Sequence, residues 1–328
     1  MITVTLYMRK DCQLCEQART DLAALREKYP HRLIEVDAEA DPVFREAYGL
    51  EVPIVEAGPY RLKAPFTRQD LMMTLGAASD RRTQLERVDQ EGYQALLRRG
   101  HTVTRSDRFS FWLSRHYLAA LNLFMLLYVG LPFLAPVLMK TGATAPANVI
   151  YTVYSPLCHQ LGFRSWYLFG AQAFYPRAAA GSAGVETFEQ ATGITDILGA
   201  RAFRGDGEIG YKVALCERDA AIYAAMLLFG LLYGLTGRRM KPLYWLLWVL
   251  IGLAPVGLDG FSQLISQFQL PALASVLPYR ESTPLLRTLT GFLFGFTTAW
   301  FGYPYVEETM RETRQFYIKK FAAADTTG

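Results

Sequence analysis

The sequence predicts two parts, a small α/β domain at the front and an all-α membrane domain of about four transmembrane helices behind it. Three observations carry this reading. The first hundred residues mix charge with short apolar runs, whereas much of the remaining chain is apolar and aromatic. The front holds a Cys-x-x-Cys, Cys12-Gln13-Leu14-Cys15, directly behind an alternating strand-like run. The rear holds uncharged stretches long enough for a bilayer, with Lys and Arg gathered beside their ends.

Averages hide this change of character. Of 328 residues, 51% are hydrophobic and 20% charged, with a formal net charge of +4. The basic residues cluster beside apolar runs, which is how membrane proteins place them, so the expected partner is a lipid bilayer and no nucleic acid. Four cysteines are too few for a disulfide framework in a chain of this length. Met1 leads straight into a strand-like run, so no cleavable signal peptide is expected there.

Along the front, Ile2, Val4 and Leu6 alternate as in a strand, and Ala18, Leu22 and Leu25 recur at helical spacing over 15–28. Residues 32–36 read as a second strand, 42–48 as a short helix capped by Gly49, and 52–55 as the start of a third strand. A closing helix is expected over 67–75. A Cys-x-x-Cys at a strand-to-helix junction is a dithiol redox site, because the helix start favours a thiolate on the first sulfur. Cys12 is then the nucleophile, and Cys15, one turn on, resolves the mixed disulfide; no cofactor is required. Half of a zinc site is the competing reading, but it lacks a second Cys-x-x-Cys or His pair. A degenerate, structural domain is another.

The stretch Leu6-Tyr7, Cys12 to Ala18, Val36-Asp37, Tyr48-Gly49 and Val52-Pro53-Ile54-Val55 resembles the glutaredoxin-like family with a Cys-x-Leu-Cys site. The resemblance covers 1–78. It implies a thioredoxin fold, thiol–disulfide oxidoreductase chemistry, and a cis Pro53 facing the dithiol. The Gly-Gly or Gly-Asp pair of glutathione-using members is absent between Val55 and Leu71, so the expected partner is a protein dithiol or disulfide.

Residues 79–115 read as a charged linker helix over 79–100, then an interfacial helix capped by Ser106. Phe109, Phe111 and Trp112 beside Arg105, Arg108 and Arg115 suit a bilayer surface. The membrane domain occupies 116–305, with spans at 117–139, 220–236, 242–258 and 288–305. Basic residues gather before the first span, at Arg238, Arg239 and Lys241 between the second and third, and at Arg311, Arg314, Lys319 and Lys320 after the fourth. With four spans these sets share one side, which places both termini and the dithiol in the cytoplasm of an integral, multi-pass membrane protein. The loops 140–218 and 260–287 then face outward, and 306–328 is a cytoplasmic tail. The uncharged stretch 261–279 is rich in Ser and Gln and reads as re-entrant or surface; as a fifth span it would move the C-terminus outside.

The outer loops carry a second set of reactive residue types: Cys158-His159-Gln160, Cys216-Glu217-Arg218-Asp219, Asp259-Gly260, Arg280-Glu281-Ser282 and Arg287. Four spans bring them to one interface, where a buried Asp259 or Arg287 needs a partner and each could supply the other's. This order of motifs resembles the predicted membrane proteins of domain of unknown function 2085, over about 150–303, a family without an assigned activity. Residues 177–212 look like an inserted, mobile external loop. Candidate site residues are Cys158, His159, Cys216, Arg218, Asp259, Arg280 and Arg287. Three readings stand: a Cys158–Cys216 disulfide; zinc or another transition metal on Cys158, His159 and Cys216, with Asp259; or a redox dithiol coupled to a quinone. The last resembles vitamin K epoxide reductase fusions, yet no Cys-x-x-Cys lies in a span.

The expected function is a membrane-anchored thiol–disulfide oxidoreductase. The alternative is a metal-binding or transport protein whose front domain is a redox sensor or docking module. No sequence feature sets an oligomeric state.

Overall fold

A computed structural model describes residues 1–39, 45, 48, 51–269 and 276–325. The helix expected over 42–48, with Gly49, falls largely outside the described residues. The chain forms two compact units: Met1–His116 with Glu308–Gly328, and Tyr117–Glu307.

In the first unit, β1 (Ile2–Met8), β2 (His31–Asp37), β3 (Ile54–Ala57) and β4 (Tyr60–Lys63) form one sheet in the order β2-β1-β3-β4. β1 and β2 are parallel, with Val4 opposite Leu33, and the other pairs are antiparallel. This is the thioredoxin-like α/β arrangement that the front of the sequence predicts. β4 was not expected: it is an edge strand whose Tyr60, Arg61 and Lys63 are exposed, so no buried face marks it. The helix α1 (Gln13–Leu25) buries Cys15, Ala18, Leu22 and Leu25. Leu22 packs with Val4, Leu6, Val55, Leu71 and Leu75 in one core cluster. A reciprocal cap of Thr67 and Asp70 starts α2 (Arg68–Val88), which continues past residue 78. Asp89 ends it and caps α3 (Gln90–His101) by accepting the Gly92 N–H at 2.9 Å.

Tyr7, Ile34, Val36, Ile54 and Cys15 make a second cluster, and here the end of the chain is needed. Residues read in sequence as a tail are the last turns of α10 (Pro284–Asp325), a 42-residue helix. Ile318, Ala322 and Ala323 pack against this cluster. Lys319 Nζ donates to Glu56 Oε2 at 2.9 Å, Arg61 Nε to Glu56 Oε1 at 2.7 Å, and the Tyr7 hydroxyl to Glu56 Oε2 at 3.0 Å. Burial alone would raise the Glu56 pKa, but Lys319, with Arg61 and Tyr7, outweighs it and holds the carboxyl below its ordinary range. Its contribution is therefore present above the ordinary carboxylate value and lost as pH falls through the lower, native one. Lys319→Ala is expected to reduce amide-exchange protection of residues 318–323 about fivefold, or about 1 kcal/mol. Acidification below the lowered native value of Glu56 should erase the difference between the two proteins.

Among the described residues, three helices are long and apolar enough to cross a membrane: α4 (Arg105–Lys140), α8 (Glu217–Leu235) and α9 (Trp245–Gln267). α4 is capped by Thr104, not Ser106, because Asp107 completes a reciprocal box with Thr104: the Asp107 N–H reaches Thr104 Oγ1 at 3.2 Å and the Thr104 N–H reaches Asp107 Oδ2 at 2.8 Å. Pro132 and Pro136 lie inside α4 without ending it. α9 contains a π-helical stretch, Trp248–Leu253, just ahead of Pro255, whose missing N–H removes one ladder bond. It runs on through Gln267, so 261–267 is the end of this helix and not a separate re-entrant segment; 270–275 lie outside the described residues.

The fourth expected span, 288–305, lies within α10 but is diluted by Thr288, Thr290, Gly291, Gly295, Thr297 and Thr298. Several of these small residues face protein. A methyl on Gly291 would lie 2.6 Å from the Arg218 carbonyl oxygen, and one on Gly295 would strike that of Ile222. Gly291 and Gly295 thus bring α10 backbone-close to α8, the use of G-x-x-x-G in membrane helices. By contrast, Leu123, Phe124 and Leu127 on α4 and Leu246, Leu250 and Ile251 on α9 are exposed.

The unit is largely helical but not all-α. β5 (Ser165–Leu168), β6 (Gly205–Asp206) and β7 (Gly210–Cys216) form an antiparallel sheet in the order β5-β7-β6. With α5 (Thr144–Tyr154), α6 (Phe188–Thr192) and α7 (Ile197–Ala202) they occupy the expected loop 140–218. The stretch 177–212 is packed structure, not a free loop: Phe188, Ala200 and Ile209 join Phe163, Tyr167 and Tyr175 in a core. β6 is only two residues long, and β7 buries Val213, Ala214 and Leu215 in succession, so neither gives an alternating signal.

Candidate functional sites: a dithiol and a buried ionic cluster

β1 delivers the chain to Asp11, whose φ of 57° is a left-handed turn that Asp tolerates. Cys12 comes next as the N-cap of α1, its sulfur accepting the Cys15 N–H at 3.2 Å. The two sulfurs are joined in a disulfide, with Cα atoms 5.2 Å apart. Cys15 is fully buried, Cys12 is half-buried and Leu14 between them is 61% exposed. A thiol arriving from solvent therefore meets Cys12 first. The Val52–Pro53 bond is cis, and Val52 packs in the same cluster as Cys15. A groove of about 450 Å³ borders the site, lined by Met8, Arg9, Lys10, Asp11, Glu16, Glu35 and Asp37.

The second set of residues comes together in the Tyr117–Glu307 unit. Gln160 has a positive φ of 51° and a buried side chain. Its amide donates to the Tyr151 carbonyl at 2.9 Å and the Ala214 carbonyl at 3.1 Å, which ties the Cys158-His159-Gln160 turn onto β7. That turn buries Cys158 and leaves His159 exposed. Cys158 Sγ accepts the Cys216 N–H at 3.3 Å, and Cys216, the N-cap of α8, accepts the Asp219 N–H at 3.4 Å. Both thiols are free in this structure. A hydrogen bond from the Cys216 thiol lowers the Cys158 pKa against the effect of burial; the same bond and burial raise that of Cys216. The sulfurs and the Asp219 carboxylate lie within 4.8 Å of one another, and His159 is not in this group.

Around them the charges pair, but not as Asp259 with Arg287. Asp259 is bound by Arg218, by Arg280 Nη2 at 2.7 Å and by the Ser282 hydroxyl at 2.7 Å. Arg287 instead pairs with Glu281 and, at 3.4 Å, Glu217. Glu281 also accepts from Arg164 Nε at 2.7 Å and Nη2 at 3.0 Å, and from Gln263 at 2.9 Å. A cavity of about 480 Å³ opens among these groups, lined by Cys158, His159, Cys216, Arg218, Asp219, Arg287 and others. Asp259 holds the lining residue Arg218 and is itself held by Arg280.

Sequence reasoning does not single out Arg164 or Lys212, and gives Glu217, Asp219 and Glu281 no role. Lys212 is fully buried, with Nζ donating to the Gln160 and Arg201 carbonyls, each at 2.7 Å. Burial, with Arg204 nearby, pushes its pKa down to about 7. Its one signal is position: a lone charge beside Val213-Ala214-Leu215.

Residues 3–91 match the glutaredoxin-like domain (DUF836), and residues 208–301 match the predicted membrane protein family DUF2085. The second match begins after the Cys158-His159-Gln160 turn and takes in Cys216, Arg218, Asp259, Arg280 and Arg287. An uncharacterized protein of Methanocaldococcus jannaschii is 26% identical over 200 residues, 58% of this chain and 93% of that relative. No solved structure matches. The chain therefore joins a glutaredoxin-like domain to a region that matches a family of predicted membrane proteins.

Proposed function

We propose that this protein is a membrane-anchored thiol–disulfide oxidoreductase working through Cys12 and Cys15. The carrying observation is the pair itself: a joined dithiol at the start of α1, with Cys12 reachable and Cys15 buried beneath it. In the reduced protein the Cys12 thiolate attacks a substrate disulfide, forming a mixed disulfide and expelling one substrate thiolate. Cys15 then attacks the Cys12 sulfur, releases the second substrate thiolate and closes the Cys12–Cys15 bond, so two electrons pass to the substrate. Pro53, next to Val52 in the same cluster, shapes the docking edge, and exposed Leu14 offers an apolar contact to a protein substrate.

The dithiol unit lies in the cytoplasm in this reading. Residues 1–116 and 308–325 belong to one compact unit, which supports an even number of spans between them. α10, about 63 Å long at 1.5 Å per residue, supplies the fourth, its small residues turned to α8 and not to lipid. The basic residues flanking the spans give the sidedness.

The test uses the full-length Cys15→Ser protein in cells. It should accumulate mixed disulfides with cytoplasmic proteins through Cys12. A membrane-impermeant maleimide should leave Cys12 unlabelled until the cells are opened. An absence of trapped species, or labelling of Cys12 in sealed cells, refutes the exchange chemistry or the sidedness respectively.

A further inference from the structure

We infer that Cys158, Cys216 and Asp219 form a binding site for a soft divalent cation, zinc by the chemistry of its donors. Two sulfurs and one carboxylate oxygen lie within 4.8 Å of one another. A tetrahedral ion with Zn–S of about 2.3 Å holds two sulfurs about 3.8 Å apart, a spacing within the 4.8 Å that already encloses the three donors. Thiolate plus carboxylate donors select such an ion over magnesium or calcium, which take oxygen alone.

The surroundings are those of metal-bound sulfur. The Cys216 N–H points at Cys158 Sγ and the Asp219 N–H at Cys216 Sγ, the outer bonds that orient ligands and stabilise charge on them. Among the described residues the Asp219 carboxylate has no hydrogen-bond or ion-pair partner, whereas Asp259, Glu281 and Glu217 are all paired. An unpaired carboxylate beside two thiols, partly shielded from water, is a ligand in waiting. Binding Zn²⁺ releases two protons, one from each thiol, and leaves a complex of net charge −1. Lys212, buried and close enough to Cys158 to interact electrostatically, opposes that charge.

All three ligands line the cavity of about 480 Å³. The fourth coordination position therefore faces open space rimmed by Arg164, Arg218 and Gln263, which suits a water or a small anion. His159 borders the same cavity but stays outside the ligand set.

The experiment uses full-length protein in detergent, reduced, in a Cys12→Ser/Cys15→Ser background so that the front thiols cannot compete. After zinc loading and dialysis, metal analysis should find one zinc per chain. Cobalt substitution should give sulfur-to-cobalt charge-transfer bands that shift when azide is added. Cys158→Ser and Cys216→Ser should each weaken binding about a hundredfold or more, and Asp219→Asn, which keeps both thiols and the fold, about tenfold; His159→Ala should change it less than twofold. Zinc should also shield both thiols of the parent protein from maleimide, a readout independent of whether the serine variants fold. Less than a tenth of an equivalent of zinc, thiols that label equally with and without it, or loss of binding in His159→Ala but not Asp219→Asn would each overturn the assignment. Cobalt bands unmoved by azide would remove the open position. None of these results bears on Cys12 chemistry.

Discussion

Glu281→Gln is expected to lower the stability of the membrane unit by about 3–5 kcal/mol, the range for stripping one partner from a buried ion pair. Glu281 is 4% exposed and receives Arg164 through two nitrogens, Arg287 and Gln263. Glutamine keeps the shape but removes the charge. Arg287, only 3% exposed, would be left with the Glu217 carboxylate and the Phe163 carbonyl, each at 3.4 Å, while Arg164 loses a two-point bond. The arginines cannot neutralise themselves, so the cost appears as lost stability. Thermal unfolding in a fixed detergent should show a fall of roughly 10 °C. A double-mutant cycle with Arg164→Gln should return a coupling of about 1–3 kcal/mol. A fall below about 1 kcal/mol would mean that water already satisfies the cluster. Arg177→Gln provides the control: its pair with Glu189 is partly exposed and should cost less.

Cys12→Ser is expected to abolish disulfide exchange, by a thousandfold or more on the order of a lost nucleophile. A serine hydroxyl is not ionised at neutral pH and leaves poorly from sulfur, so the first step has no route. Cys15 does not substitute for it, being fully buried under Cys12. The measurement is single-turnover reduction of a small aromatic disulfide by the pre-reduced, full-length protein. Cys15→Ser should retain the first step within about threefold and fail only in release. Equal loss in both variants would instead show that the pair acts as a structural unit.

Much of this was legible in the residues, and the gaps have physical causes. The alternation of Ile2, Val4 and Leu6 marked β1, and the spacing of Ala18, Leu22 and Leu25 marked α1, because each face packs on a local neighbour. β4 escaped because an exposed edge strand needs no apolar face. In the second cluster residue types pointed to the right place, yet not to partners. Asp259 chooses Arg218 and Arg280, and Arg287 chooses Glu281, since helix positions and not sequence order decide which charges meet. Asp219 rather than His159 joins the thiols for the same reason: it sits one turn into α8 below Cys216, while the turn at Gln160 leaves the histidine facing out. The low apolarity of α10 is the converse case. A helix that spends its Gly and Thr on a neighbour has less hydrophobic signal to show.

The seating of Ile318, Ala322 and Ala323 beside Tyr7 and Cys15 has a consequence for biosynthesis. The ribosome makes the first strands of the redox fold at once, but the patch that Ile318, Ala322 and Ala323 cover stays bare until about three hundred further residues have been made. Maturation of the front therefore waits on the back. A nascent chain stalled before residue 318 would carry its sulfurs on an unfinished scaffold.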